Sequence, residues 1–143
     1  MIFLADDDLK STPLAWTTNK VKHVVTSTLA AEALSLHDCV NHAIYLPSMV
    51  AEAIQVRPTD LPIIAYTDSN NMSKAIKSTT LISDQRLRID IGAIKQKVEE
   101  DNVTVRWIPK GEMLADSLTK KGASVQSLMD ALTAGELENH EVQ

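Results

Sequence analysis

The sequence predicts an α/β domain in which helices pack against a mixed β-sheet. The first observation is a pair of short apolar segments near the amino terminus, "MIFLA" and "PLAWTT", separated by the polar "DDDLKST". This spacing is typical of a β-hairpin with a longer loop. The second observation is that helix-like and strand-like patterns alternate after residue 27. A hairpin that leads into βα units implies strands of both directions, with the connecting helices on the sheet.

The first half of the chain contains a long helix, a strand and a short helix after the hairpin. Apolar residues at three- and four-residue spacing predict the long helix over residues 27–54, and residues 26–28 supply three candidate caps. Pro47 is expected to kink or divide this helix, because proline removes a backbone hydrogen bond and clashes one turn back. The strand "PIIAYT" follows, and then a short helix over residues 69–77.

The second half continues with helix, strand and two more helices. One helix is expected from Ser83 to "EED", with Leu87, Ile91, Ile94 and Val98 on one face. The strand "VTVRWIP" alternates so that Val103, Val105 and Trp107 face one way. The segment "EMLADSLTKKG" is expected to be helical up to Gly122, a C-terminal cap. A last helix starts at Ser124, and its apolar face contains Val125, Leu128, Met129 and Leu132.

The length of 143 residues suits one domain with a proper core. We assign residues 1–134 to this domain and residues 135–143 to an acidic, disordered tail. Cys39 is the only cysteine, so no intrachain disulfide can form and a reducing compartment is expected. No apolar run approaches a membrane span, and the start lacks the features of a secretory signal. We therefore expect an intracellular protein, cytoplasmic or nuclear, without a membrane partner.

The formal net charge of −5 argues weakly against a polyanionic partner. Six of the 19 acidic residues lie near the ends, three at residues 6–8 and three in the last nine residues, which leaves 13 acidic against 14 basic residues in the body. Local basic groups permit contact with phosphates without implying it. These groups are Lys20, Lys22 and His23; Lys74 and Lys77; Arg86 and Arg88; and Lys110, Lys120 and Lys121.

Three acids stand where the ends of predicted elements come together. Asp68 directly follows a strand, where it either caps the next helix or lines the ligand crevice of an open α/β sheet. Glu32 lies in the long helix among alanines that allow a close approach to the sheet, and Asp116 lies one turn into a later helix. For these two the alternative is a first-turn acid favoured by the helix dipole. Together, carboxylates without Cys or His ligands suit Mg²⁺ or Mn²⁺, and two such ions can hydrolyse a phosphodiester.

Other chemistries have less support in the sequence. His37 and His42 stand at poor offsets from Cys39 for one helical face, so a core cysteine is favoured over a nucleophile. The histidines show no zinc spacing, and there is no glycine-rich phosphate loop.

Four stretches follow one another along the chain: "STLAAEALSL", "YTDSNNMSKAI", "RLRIDIGAIKQKVEE" and "VRWIPKGEMLADSLTKKGA". In this order they resemble the ribonuclease H domain at the end of copia-type retrotransposon Pol polyproteins. The opening "MIFLADDDLKSTPLAWTTNKVKHVV" is similar to the hairpin before the family's catalytic helix. The resemblance covers nearly the whole chain and thins after Leu132, and "LADSLTKKG" is its most specific element.

The resemblance implies a ribonuclease H-like mixed five-stranded sheet with flanking helices, and hydrolysis of the RNA strand of RNA–DNA hybrids by two Mg²⁺ or Mn²⁺ ions. By motif position Glu32, Asp68 and Asp116 match three of the family's four catalytic, metal-binding acids and are expected to converge. Asn70 is an expected contact to the hybrid's minor groove, where the 2′-hydroxyl distinguishes RNA from DNA. Lys74 is an expected phosphate contact. A reverse transcriptase domain is expected upstream in the parent polyprotein.

The chain departs from the family's pattern at two points. The remaining aspartate of the family lies on a first strand upstream of the hairpin, so that strand is expected to be missing here and cleavage to be weak or lost. Residues 6–8 lie in the hairpin loop, where the resemblance puts no metal ligand. Lys110 stands in a loop where several relatives place a mobile histidine. The alternative function is a non-catalytic nucleic-acid-binding or interaction module that retains the fold.

Overall fold

The structure is a computed structural model that describes residues 1–18, 27–80 and 82–137. Its architecture is mixed α/β, which confirms the α/β class predicted from the sequence. The chain divides into two compact units: one contains Met1–Lys20 and Ile108–Gln143, and the other contains Val21–Trp107. The basic residues Lys20, Lys22 and His23 lie outside the described residues, as does the end of the predicted tail.

The smaller unit contains the predicted hairpin. Strand β1 (Ile2–Ala5) pairs antiparallel with β2 (Ser11–Ala15), with an irregularity between Ile2 and Phe3. The loop between the strands is held by Asp6, whose carboxylate accepts the backbone N–H groups of Asp8 at 3.0 Å and Lys10 at 2.9 Å. This Asx-type arrangement gives the first acid of "DDD" a local structural role.

The carboxyl-terminal part of the smaller unit is tied to the same hairpin. Helix α5 (Gln126–Ala134) ends at Gly135, whose positive φ of 66° suits a residue without a Cβ. Ser11 donates its N–H to the carbonyl of Gly135 at 2.6 Å, and Leu137 donates to the carbonyl of Leu9 at 2.9 Å. The described start of the predicted tail is therefore paired with backbone, and residues 138–143 lie outside the description.

The segment before α5 differs from its prediction. The helix expected from "EMLADSLTKKG" is reduced to α4 (Asp116–Thr119), and Lys110–Glu112 forms a separate 3₁₀ turn. Ser117 donates its hydroxyl to the carbonyl of Leu114 at 2.7 Å, a local bond of the kind that competes with helix formation. Gly122 has a φ of 84° but lies beyond Lys120, which ends α4.

The larger unit begins with α1 (Thr28–Ile54), whose N-cap is Ser27. The Ser27 hydroxyl accepts the N–H of Ala30 at 3.1 Å, so one of the three candidate caps is used. The helix is not divided at Pro47, contrary to one of the expected outcomes. Ala43 and Ala51, on either side of the proline, are both buried, which favours a continuous helix despite the lost hydrogen bond.

A 3₁₀ turn at Pro58–Asp60 leads from α1 into strand β3 (Ile63–Thr67). This strand pairs in parallel with β4 (Val103–Trp107). The two strands are connected by α2 (Asn70–Lys77) and α3 (Gln85–Glu100). A helical crossover is the expected connection between parallel strands. The core contains the following side chains from α1, β3, α2, α3 and β4: Ala30, Ala33, Leu36, Val40, Ala65, Met72, Leu87, Ile91, Ile94, Val103 and Val105.

The described strands thus form two sheets of two strands each. The predicted single mixed sheet is not seen among them, because β1 and β2 lie in one unit and β3 and β4 in the other. Along residues 1–18, 27–80 and 82–137, none of the helices is long and apolar enough to span a membrane.

Candidate functional site

The site is built around Asp68, which lies one residue beyond the carboxyl end of β3. Its neighbour Thr67 is paired in register with Trp107, the last residue of β4, so both parallel strands end at the same level. The carboxyl ends of parallel strands are where ligands bind in open α/β sheets. Asp68 is half-buried, so its side chain retains access to solvent.

The turn that carries Asp68 into α2 is held by hydrogen bonds on both sides of that residue. Thr67 is 9% exposed, and its hydroxyl accepts the N–H of Ser69 at 3.2 Å. The Ser69 hydroxyl in turn accepts the N–H of Met72 at 3.3 Å and is the N-cap of α2. The capping role considered for Asp68 or Ser69 therefore belongs to Ser69, and the carboxylate of Asp68 is not the cap of this helix.

The backbone of Asp68 has a third contact, from the neighbouring strand. Trp107 donates its indole Nε1–H to the carbonyl oxygen of Asp68 at 3.2 Å, across 39 positions of the chain. The alternation of β4 places Trp107 on the same face as Val103 and Val105, which are 2% and 7% exposed, but the indole is 42% exposed. Its position at the end of the strand accounts for this difference, because the ring extends along the sheet edge towards the Asp68 turn.

Asn70 and Lys74 lie on α2 directly after this turn. Asn70 is the first residue of the helix and Lys74 lies one turn further on, and both side chains are exposed. The same helix buries Met72, which is 0% exposed, and Ser73, which is 6% exposed. The helix therefore presents an amide and an ammonium group to solvent next to a carboxylate, a combination that can contact sugar hydroxyls and phosphates.

Glu32 lies on α1 and is half-buried. Its neighbours Ala30 and Ala33 are 9% and 0% exposed and belong to the core of the larger unit. The small side chains thus let this part of α1 pack closely, as the sequence pattern indicates. Glu32 belongs to the same unit as Asp68.

Asp116 belongs to the smaller unit, where it is the first residue of α4. The prediction that it lies one turn into a helix is wrong, because the segment before it does not form an α-helix. Its carboxylate forms a salt bridge with Lys120 at 2.6 Å, with the two side chains 22% and 51% exposed. The contact joins residues four apart, a spacing at which opposite charges meet on a helix.

The chemistry of these donors fits a hard divalent cation, because all three are carboxylates. Within the described parts of the chain, no three Asp, Glu, His or Cys residues stand together as a group that could hold a metal ion. The expected convergence of Glu32, Asp68 and Asp116 therefore stays a prediction.

Two contacts of the site residues were not predicted from the sequence. The Trp107–Asp68 hydrogen bond depends on the register of β3 and β4, which the separate strand patterns do not specify. The Asp116–Lys120 salt bridge has a signal in the sequence, since an acid four residues before a lysine favours such a pair.

Comparison of the chain with protein-family models, with curated proteins and with solved structures gives no match.

Proposed function

We propose that this chain is a ribonuclease H-like domain of retroelement origin that binds RNA–DNA hybrids and hydrolyses their RNA strand only weakly, because one of the four acids of the family has no match among its residues. The observation that carries the proposal is the position of Asp68, half-buried at the shared carboxyl edge of β3 and β4. Exposed Asn70 and Lys74 follow on the next helix, as the resemblance requires of a hybrid-binding edge. The proposal also includes a mixed sheet, an intracellular location and a reverse transcriptase domain upstream in the parent polyprotein.

Mg²⁺ or Mn²⁺ is proposed as the cofactor because the three matched acids, Glu32, Asp68 and Asp116, are all oxygen donors. When bound, such ions supply an activated water and stabilise the leaving oxygen of a phosphodiester. For the chain's own residues, Asp68 is proposed to contact the cation, Asn70 the 2′-hydroxyl edge of the hybrid and Lys74 a phosphate.

The salt bridge of Asp116 favours a second candidate function. Lys120 forms an ion pair with the acid that the resemblance assigns to catalysis, at a distance of 2.6 Å. A chain in which this pair persists retains a nucleic-acid-binding surface without the full set of available carboxylates. The alternative is therefore a non-catalytic module that recognises hybrids through the Asp68–Asn70 edge.

The two functions are separated by measuring binding and cleavage on the same substrates. A hybrid with the RNA and DNA strands labelled differently is compared with DNA and RNA duplexes of the same sequence, in Mg²⁺ and in EDTA. The enzyme cuts only the RNA strand of the hybrid, only with Mg²⁺, and Asp68→Asn abolishes the cut. Asp38→Asn is the matched control, since Asp38 is an exposed acid on α1.

Each outcome has a defined meaning. Preferential binding to the hybrid without cleavage supports the binding module. Equal affinity for all three duplexes without cleavage of the hybrid, or cleavage that is unchanged in Asp68→Asn, contradicts both functions.

A further inference from the structure

The inference concerns Trp107, the aromatic residue at the end of β4. Trp107 is 42% exposed, and the one polar atom of its side chain, the indole Nε1, donates its hydrogen to the carbonyl oxygen of Asp68 at 3.2 Å. A tryptophan kept only for packing would be expected to be buried, as the side chains of Val103 and Val105 are on the same strand. The contact to the turn is therefore the feature of Trp107 that needs a physical reason.

The turn from Thr67 to Asn70 is fixed from three directions. One bond is internal, from the Ser69 N–H to the Thr67 hydroxyl, and the next joins the turn to α2 through the Ser69 hydroxyl. Both of these lie within the β3–α2 connection. The Trp107 bond joins the turn to the neighbouring strand β4 one residue beyond the ladder pair Thr67–Trp107, so it helps to set the position of the turn relative to the edge of the sheet.

We propose that Trp107 is a positioning residue for nucleic-acid recognition, which holds the Asp68 backbone so that Asn70 meets the sugar edge of an RNA–DNA hybrid. The inference rests on the proposed function, and it assigns a role to a residue outside the matched acids. Asn70 begins α2 two residues after the carbonyl that Trp107 binds. A small rotation of the turn therefore moves the amide of Asn70, whereas the helix further on stays anchored by buried Met72.

The expected effect of losing the indole N–H is a change in selectivity. Trp107→Phe keeps an aromatic ring and removes the donor. The loss of one hydrogen bond corresponds to about a three- to tenfold lower affinity for the hybrid. Affinity for a DNA duplex should change less, because that duplex offers no 2′-hydroxyl to Asn70 and is bound through its phosphates. The ratio of the two affinities should therefore fall.

The experiment measures fluorescence anisotropy of labelled hybrid and DNA duplex of one sequence with the full chain. Trp16→Phe is the matched control, since Trp16 is the other tryptophan of the chain and is 68% exposed. Asn70→Ala and the double variant Trp107→Phe/Asn70→Ala complete a double-mutant cycle. If Trp107 acts through Asn70, the double variant loses little more selectivity than Asn70→Ala alone. A merely structural role lowers both affinities equally and gives additive losses.

A separate measurement checks the contact itself. In Trp16→Phe protein, NMR detects one indole N–H resonance, which is expected to exchange slowly with solvent. A falling selectivity ratio with non-additive losses supports the inference. The inference is overturned if the ratio of the two affinities is unchanged, if Trp107→Phe lowers both affinities equally, or if the losses in the double variant are additive. In each of these cases, hybrid preference in the wild-type protein leaves the proposed function in place. If the wild-type protein shows no hybrid preference while the indole N–H is protected, the proposed function fails and the inference falls with it.

Discussion

Met72→Ala tests whether α2 is anchored to the larger unit in the way that places the Asp68 turn. Met72 is fully buried and lies in the core cluster with residues of α1, α3 and β4. Truncating a buried methionine to alanine costs about 2–5 kcal/mol, from lost transfer free energy and the cavity left behind. With a urea slope of about 2 kcal/mol per molar, the unfolding midpoint should fall by about 1–2.5 M.

Met49→Ala is the matched control, because the same atoms are removed from a side chain on α1 that is 68% exposed. Its free energy of unfolding should stay within about 0.5 kcal/mol of the wild type. Urea unfolding followed by far-ultraviolet circular dichroism measures both variants. Equal midpoint shifts for the two variants, or no shift for Met72→Ala, would refute the burial of α2 and the placement of the turn that depends on it.

Three further changes test single features. Ser69→Ala should lower the free energy of unfolding by about 1 kcal/mol, because α2 loses its N-cap. Ser35→Ala, at an exposed position of α1, should be neutral or slightly stabilising. Thermal melts compare the two variants. Gly135→Ala should lower the free energy of unfolding by about 1 kcal/mol, because the residue has a φ of 66°. Gly111→Ala, with open space around its Cβ position, should lower it little. Similar melting temperatures for the two variants would count against the left-handed cap. Lys120→Gln should lower the free energy of unfolding by less than about 1 kcal/mol, and by less still in high salt, because the salt bridge is partly exposed. A loss above about 1 kcal/mol that salt does not reduce would contradict this weak contribution of the pair to stability.

Periodicity predicted the elements that position Asp68. The long helix was expected over residues 27–54 and is Thr28–Ile54, and β3 ends at Thr67, directly before the acid. Both elements have strong local signals, a cap with regular apolar spacing in one and an apolar run in the other. The expectation at Pro47 was a kink or a division, and the division was wrong; the burial of Ala43 and Ala51 on either side of the proline favours a continuous helix.

The features that were missed depend on contacts distant in sequence or on competing local bonds. The link from Trp107 to Asp68 requires the strand register, which two separate patterns cannot supply. The helix around Asp116 was predicted too long because Ser117 bonds back to the chain. On α5 only Leu128 of the expected apolar face is buried, since spacing shows which side chains share a face and not whether anything covers it.

The recognition of RNA–DNA hybrids at the end of β3 can be mapped residue by residue with ¹⁵N-labelled protein and an unlabelled hybrid. Backbone amide and indole N–H resonances are followed during the titration, with a DNA duplex of the same sequence as the reference. We expect the largest shifts at Ser69 to Lys74 and at the Trp107 indole, with the hybrid and much less with DNA. Shifts that concentrate in the hairpin loop at Asp6 to Lys10, or that are the same for both duplexes, would place recognition elsewhere and refute the proposed edge.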